Sequence, residues 1–243
     1  MMSIVIPAYN EEKRIEGSLS EACAYLDGIG IEYEIIVVDD GSSDGTSRVV
    51  EHFVKDFREV RLVRYEKNRG KGHALRTGIL GARGDFILVM DADLSTPMGE
   101  LRKLMPYLSE GGFDVAIGSR ALALSNIIRK QPWWRRGMGK MFNGIVKMLV
   151  IGDFQDTQCG FKLFAGDVAR NLFGRAKIDR FAYDVEILAL AKQRGYAIKE
   201  VPIRWINSPE SKVNPLKDSL RMLVDLVRIR LSVGTARSGR TPE

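Results

Sequence analysis

Of 243 residues, only two are cysteine and two are histidine. Cys23 and Cys159 stand far apart with no CxxC spacing. That excludes a disulfide scaffold and a thiolate zinc site, and it fits a reducing compartment. His52 and His73 leave little for a histidine-based metal centre. No run of about 18 uncharged apolar residues occurs, so no membrane-spanning helix is expected. The opening MMSIVIPAYNEE has no basic stretch followed by an apolar one, so no secretion signal is expected. These absences point to the cytoplasm. With 45% hydrophobic residues, disorder is excluded for most of the length, and the chain suffices for one large α/β domain or two small ones.

Acid is missing from one region. Between Val115 and Gly152 there is no Asp or Glu, while seven bases occur: Arg120, Arg129, Lys130, Arg135, Arg136, Lys140 and Lys147. The net charge is +6, and without those seven, 30 basic residues face 31 acidic ones. The excess is one patch on a nearly neutral chain. Such a patch calls for an anionic partner: nucleic acid, a phosphorylated substrate or an anionic membrane surface.

The first half alternates strand and helix patterns. Strands are expected at Ser3 to Ile6, Ile35 to Val38, Val60 to Tyr65, Phe86 to Met90 and Val115 to Ile117. Helices are expected at Glu11 to Leu26, Thr46 to Lys55, Lys71 to Leu80 and Leu101 to Leu108. Repeated βα units imply a mainly parallel sheet with helices on both faces. After Arg120 the rhythm changes. Gly137 to Ile151 reads as an amphipathic helix, with Met138, Met141, Phe142, Ile145, Met148 and Leu149 on one face. A loop over Asp153 to Lys162, a short strand at Phe161 to Phe164, helices at Asp167 to Phe173 and Tyr183 to Arg194, and a strand at Ile198 to Trp205 follow. The helix Leu216 to Leu231 carries Leu216, Leu220, Leu223 and Val227 on one face. The simplest organisation is one α/β domain over residues 1–231, in two halves, 1–120 and 121–231, with a frayed tail over 232–243.

In open parallel sheets, ligands bind beyond the carboxyl ends of the strands. The unusual residues of this chain fall there: Pro7, Tyr9, Asn10 and Glu11; Asp39, Asp40, Gly41 and Ser42; Asn68, Gly70, Lys71 and Gly72; Asp91, Asp93 and Ser95; Gly118, Ser119 and Arg120. Each group alone is also turn and cap chemistry. Five on one edge point to a site. Asp91-Ala92-Asp93 is the sharpest: in an extended chain, carboxylates at i and i+2 point the same way. That suits a hard divalent cation, Mg²⁺ or Mn²⁺, which also takes diphosphate oxygens. Asp39 and Asp40 suit a base N–H or ribose hydroxyls, or an Asx turn. Lys71 suits a phosphate, or solvent. Neither common phosphate-loop fingerprint is present.

IVIPAYNEE, EIIVVDDGSSDGT, NRGKG, MDADLSTP and GSR, in this order, resemble the family 2 inverting glycosyltransferases. DTQCGFKLF, RFAYDVEIL, VPIRW and SPESKV with KDSLRMLVDLVRIRL resemble its polyprenyl-phosphate sugar transferases, those that glucosylate dolichyl phosphate before those that mannosylate it. The resemblance covers residues 2 to about 231. It implies a GT-A fold, a nucleotide diphosphate sugar donor (UDP-glucose ahead of GDP-mannose) and a lipid-phosphate acceptor. The first half becomes the donor half, and the second the acceptor and membrane-facing half. By that resemblance Pro7, Tyr9, Asn10 and Glu11 line the nucleoside pocket, and Asp40 contacts the base with Val38 and Asp39 nearby. Asp91 and Asp93 hold the metal and donor phosphates, beside Ala92 and Ser95. Arg120 neutralises phosphate near the transfer site, and Asp156 catalyses or positions the acceptor. The membrane anchors of some relatives have no counterpart in this sequence, which implies peripheral attachment on the cytoplasmic face.

A lipid phosphate is already an anion at neutral pH, so it needs no strong base. The difficulty is to bring two polyanions together. Arg120, Arg135, Arg136 and Lys212 are the acceptor-side candidates. Asp184 and Glu186, at i and i+2 inside a helix, face different ways, so one approaches the acceptor and the other caps the helix. Cys159 reads as a buried small residue, and His73 as a helix-start residue. The helices at 137–151 and 216–231, with Trp133 and Trp134 before the first, read either as core or as interfacial helices on a membrane. Three rivals stand. A sugar nucleotidylyltransferase lacks its glycine- and arginine-rich loop here. A nucleic-acid binder leaves the aspartates unexplained. A transferase to a hydroxyl acceptor requires Asp156 or Asp184 as a true base.

Overall fold

The computed structural model describes residues 1–129, 133–207 and 215–233. A seven-stranded sheet runs through the centre, ordered β3-β2-β1-β4-β7-β5-β8. Its strands are β1 (Met2–Ala8), β2 (Tyr33–Asp40), β3 (Val60–Tyr65), β4 (Phe86–Met90), β5 (Val115–Ser119), β7 (Phe161–Ala165) and β8 (Ile198–Pro202). All pairings are parallel except those of β7, which lies antiparallel between β4 and β5. A two-stranded ribbon of β6 (Asn126–Arg129) and β9 (Arg204–Ile206) stands apart.

The strands read as unbroken apolar runs because both faces are covered. Side chains alternate between two cores. Val5, Ile36, Val38, Ile87 and Val89 enter one, shared with α3 (Lys71–Leu80), α6 (Gly166–Arg175), α7 (Tyr183–Gln193) and α8 (Pro215–Val233). Ile4, Ile6, Ile35, Val37 and Leu88 enter the other, shared with α1 (Ile15–Ile29), α2 (Thr46–Asp56) and α4 (Leu101–Ser109). From β1 the order runs outward to β2 and β3 on one side and to β4 on the other. The crevice beyond β1 and β4 is therefore the switch point where open α/β sheets bind ligands.

Most expected elements stand within a residue or two, and four differ. The helix expected from Glu11 starts at Ile15, because Asn10 takes a left-handed φ of 57° and the Glu11 carbonyl accepts the Arg14 and Ile15 amides. The helix expected from Gly137 is α5 (Trp133–Leu149), so both tryptophans belong to it. Ile198 to Trp205 is two strands rather than one; it breaks at Ile203, where the Ile203 amide still bonds the Ser119 carbonyl while Arg204 pairs with Asn126. The first two residues of the tail expected from Ser232 are helical: α8 continues to Val233, whose carbonyl accepts a bond from Gln193 Nε2 at 3.0 Å. Residues 234–243 lie outside the described ones.

The inward faces of α5 and α8 also differ. Val146 is buried, with Phe142, Ile145 and Leu149 half-buried beside it, whereas Met141 and Met148 are exposed. In α8, Met222, Leu226 and Ile229 are buried, whereas Leu220 and Val227 point outward. Both helices carry more apolar residues than one buried stripe uses, so periodicity alone offered two faces.

Candidate active site

The loop after β1 is locked to the loop after β2. Asn10 donates its amide to Ser42 Oγ at 2.9 Å and accepts the Ser43 amide at 2.8 Å; Glu11 donates its amide to Thr46 Oγ1 at 2.7 Å. The Glu11 carboxylate takes a two-pronged bond from Arg14, both prongs 2.7 Å. Tyr9 remains exposed and Pro7 half-buried. Asp39 accepts the Ser42 amide at 2.8 Å and the Ser47 hydroxyl, so its side chain closes a turn. Asp40, almost wholly buried, accepts Asn68 Nδ2 and the amides of Arg69 and Gly70, each at 2.8 Å. It anchors the 68–70 loop, and a nucleobase would meet only its remaining acceptor capacity. Val38 is fully buried against α3, so its side chain does not reach the crevice.

Beyond β4 the chain does not stay extended. It turns at Ala92 and Asp93, and Leu94 takes a left-handed φ of 49°. The two aspartates therefore meet different partners. Asp91 Oδ1 lies 2.5 Å from Lys71 Nζ. Asp93 Oδ1 accepts the Ser95 amide at 3.0 Å, and its Oδ2 lies 4.0 Å from Arg14 Nη1. The carbonyl of Ala92 accepts Ser18 Oγ at 2.6 Å, and the buried Ser95 accepts the Ile206 amide on its carbonyl at 2.7 Å. Gly160 passes so close that a Cβ there would stand 1.9 Å from Asp91 Oδ2.

Beyond β5, Arg120 binds Asp156 through Nε at 2.6 Å, Nη2 at 2.8 Å and its amide at 2.9 Å. Its guanidinium sits 5.5 Å above the Trp205 ring. Burial by itself would raise the Asp156 carboxyl, but Arg120 more than offsets this and holds it below the ordinary range. Burial would lower the Arg120 guanidinium; Asp156, with Asp91 behind it, raises it instead. Lys71 behaves alike: burial would depress it, and Asp91, Asp184 and Asp93 hold it above its usual value.

The sequence model described as Glycosyl transferase family 2 matches residues 3–173. The chain belongs to that family.

Family 2 relatives match along nearly the full length. A dolichyl-phosphate beta-glucosyltransferase of Homo sapiens is 37% identical over 242 residues, 95% of this chain and 75% of the relative. One of Dictyostelium discoideum is 36% identical over 240 residues, 94% and 73%. Among solved structures, glucosyl-3-phosphoglycerate synthase from Mycobacterium tuberculosis, crystallised with Mn²⁺, UDP-glucose and phosphoglyceric acid, superposes with a TM-score of 0.73 at 19% identity. The match covers 96% of this chain and 79% of that one. The fold is GT-A.

Behind the crevice of this family 2 chain lies a buried pair. Lys162, on β7, binds Asp184, the second residue of α7, and donates to the Cys159 carbonyl at 2.5 Å. Burial raises the Asp184 carboxyl, and Lys162 and Lys71 only partly offset this. Glu186 accepts the amides of Lys177 and Ile178, both at 2.9 Å, so it ties down a loop. His73 packs edge-on against Tyr65 with Arg76 Nη2 at 2.9 Å, a structural position at the start of α3. The Cys159 thiol is buried and pushed up to about 11 by desolvation, so it is no nucleophile.

Arg14, Gly160 and Lys162 were not singled out in the sequence. Only Lys162 carried a signal, as a lysine inside an apolar strand that requires a buried partner. The side chains of Arg135 and Arg136, and all of Lys212, lie outside the described residues. Among the described residues no three His, Cys, Asp or Glu converge into a metal cage. What is present is hard-oxygen chemistry of limited number, with a cation, the Lys71 ammonium, already seated on Asp91. That fits an ion that takes its other ligands from phosphates and water. A separate cleft of about 470 Å³ between residues 177–180 and α8 is lined by both bases and acids, Arg180, Arg221 and Arg228 with Asp179 and Asp225.

Proposed function

We propose that the chain moves glucose from UDP-glucose to a polyprenyl phosphate of the dolichyl type, with inversion at the anomeric carbon. One observation carries the choice of acceptor class. Neither carboxylate that could serve as a base is available: Asp156 is held ionised in three bonds from Arg120, and Asp184 is buried against Lys162. A hydroxyl acceptor needs such a base. A phosphate monoester does not: its oxygen attacks C1, the bond from C1 to the diphosphate breaks, and no proton moves. The human and Dictyostelium relatives, at 37% and 36% identity and named for dolichyl phosphate, support the same choice.

In this reading Pro7, Tyr9, Asn10 and Glu11 line the nucleoside side, Asp39 and Asp40 shape it, and Ala92 lies beside the donor. Asp91 and Asp93, with Ser95 next to them, would hold Mg²⁺ or Mn²⁺, whose contribution is to neutralise the departing diphosphate. Asp156 locks the Arg120 fork so that its remaining N–H groups orient the acceptor phosphate without reorganisation. Arg135, Arg136 and Lys212 complete the acceptor side. No helix among the described residues is long and apolar enough to cross a membrane. Met141 and Met148 on α5 are exposed, as are Leu220, Val227 and Leu231 on α8, a helix that also carries Arg221 and Arg228. This is the composition of a face that lies on an anionic leaflet, here the cytoplasmic one.

The test is transfer of labelled sugar. Purified protein with Mn²⁺ should label polyprenyl phosphate from UDP-glucose and leave the unphosphorylated polyprenol unlabelled. Asp93→Ala should reduce transfer at least a hundredfold with the fold intact. Equal labelling of the polyprenol, preference for GDP-mannose, or full activity in chelator would refute the respective part.

A further inference from the structure

Lys71 was expected to point into solvent or at a phosphate. Instead its ammonium is set on Asp91 at 2.5 Å, and the side chain is only 22% exposed. The seat is built from several directions. Gly70, with φ 110°, turns the chain into α3 while Asp40 holds its amide. The Tyr183 ring lies under the ammonium, 5.8 Å from its centroid. Gly160 passes close against the Asp91 carboxylate. The charge of Asp184 also favours the Lys71 ammonium, and Lys162, 2% exposed, pins Asp184 in turn. Charges alternate from the core outward: Lys162, Asp184, Lys71, Asp91.

We propose that Lys71 is the resident counter-ion of Asp91, competing with the divalent cation for that carboxylate, so that cation and nucleoside diphosphate bind as a coupled pair. This rests on the metal reading above but not on the identity of the acceptor. Oxygen ligands approach Mg²⁺ or Mn²⁺ as closely as about 2.1 Å, so the ammonium and the ion cannot share Asp91 Oδ1 without strong repulsion. An ion arriving alone must drive the ammonium off its partner with nothing to receive it. An ion arriving with a diphosphate brings the anion to which the displaced ammonium can turn. Each ligand therefore strengthens the other, by the same factor in both directions.

The experiment is Mn²⁺ titration followed by the six-line resonance of the free ion, with and without UDP. It uses the wild-type chain, Lys71→Met and Lys71→Arg, with thermal midpoints to confirm folding. Wild type should bind Mn²⁺ at least tenfold more tightly when UDP is present. Lys71→Met should bind Mn²⁺ alone at least tenfold more tightly than wild type, and the gain from UDP should shrink by a similar factor. Lys71→Arg, which keeps the charge, should restore weak binding of the ion alone. Unchanged or weaker binding of Mn²⁺ alone by folded Lys71→Met would overturn the proposal. Mn²⁺ that fails to bind even with UDP would overturn it together with the metal reading. Coupled binding without transfer to polyprenyl phosphate would leave it standing and remove only the acceptor assignment.

Discussion

Gly160 and Asp156 illustrate how single side chains set this site. The Asp91 carboxylate occupies the space in which any residue but glycine at 160 would place its Cβ, 1.9 Å from Oδ2. Gly160→Ala must therefore move Asp91 or the 156–160 loop. Transfer should fall at least a hundredfold and metal-dependent UDP binding should weaken. The thermal midpoint should drop by a few degrees, as for a loss of about 1–2 kcal/mol. Wild-type kinetics in that variant would mean that Asp91 is not where donor chemistry happens. Asp156 owes its setting to a partner far along the chain. The family resemblance implied catalysis or positioning of the acceptor; in the structure the carboxylate takes three bonds from Arg120. No local pattern could reveal this, because the partners stand 36 positions apart.

At the scale of elements, α8 carries the sharpest contrast. Leu226 and Val227 are neighbours in sequence, yet Leu226 is fully buried and Val227 about half exposed. Leu226→Ala should destabilise the protein by about 2–5 kcal/mol while the folded fraction still floats with anionic liposomes. Val227→Asp combined with Leu231→Asp should change stability by only about 0.5 kcal/mol per site and reduce co-flotation several-fold. Unaltered flotation of the double variant would mean that α8 does not bind membranes. The strands were legible because a buried parallel strand needs four or five consecutive apolar residues, which β2 and β4 show directly. The inward faces of α5 and α8 were not, since an amphipathic pattern with apolar residues to spare does not say which flank a neighbour covers.

For the whole molecule, the Arg120–Asp156 fork joins the end of β5 to the loop that leads into β7. Its pH dependence can be signed. The Asp156 carboxyl is held below its ordinary value, so its contribution is complete above that value, about 3.9, and disappears as pH falls through the lower folded-state value. The thermal midpoints of wild type and Arg120→Met should therefore differ most near neutrality and converge below about pH 4. Parallel curves would mean that the fork does not matter to the fold.

The order of βα units in the first half, the strand-end location of the polar groups and the family were all determined by the sequence alone. Each depends on local periodicity or on contiguous motifs. Tertiary structure decided the rest. It placed β7 antiparallel in the middle of the sheet, brought Gly160 and Lys71 to Asp91, and set Arg120 on Asp156. It also turned the chain at Asp93, so that the two aspartates meet different partners. Charges pair through space, and the partner of a buried group is whichever the fold brings within about 3 Å, however distant it lies along the chain.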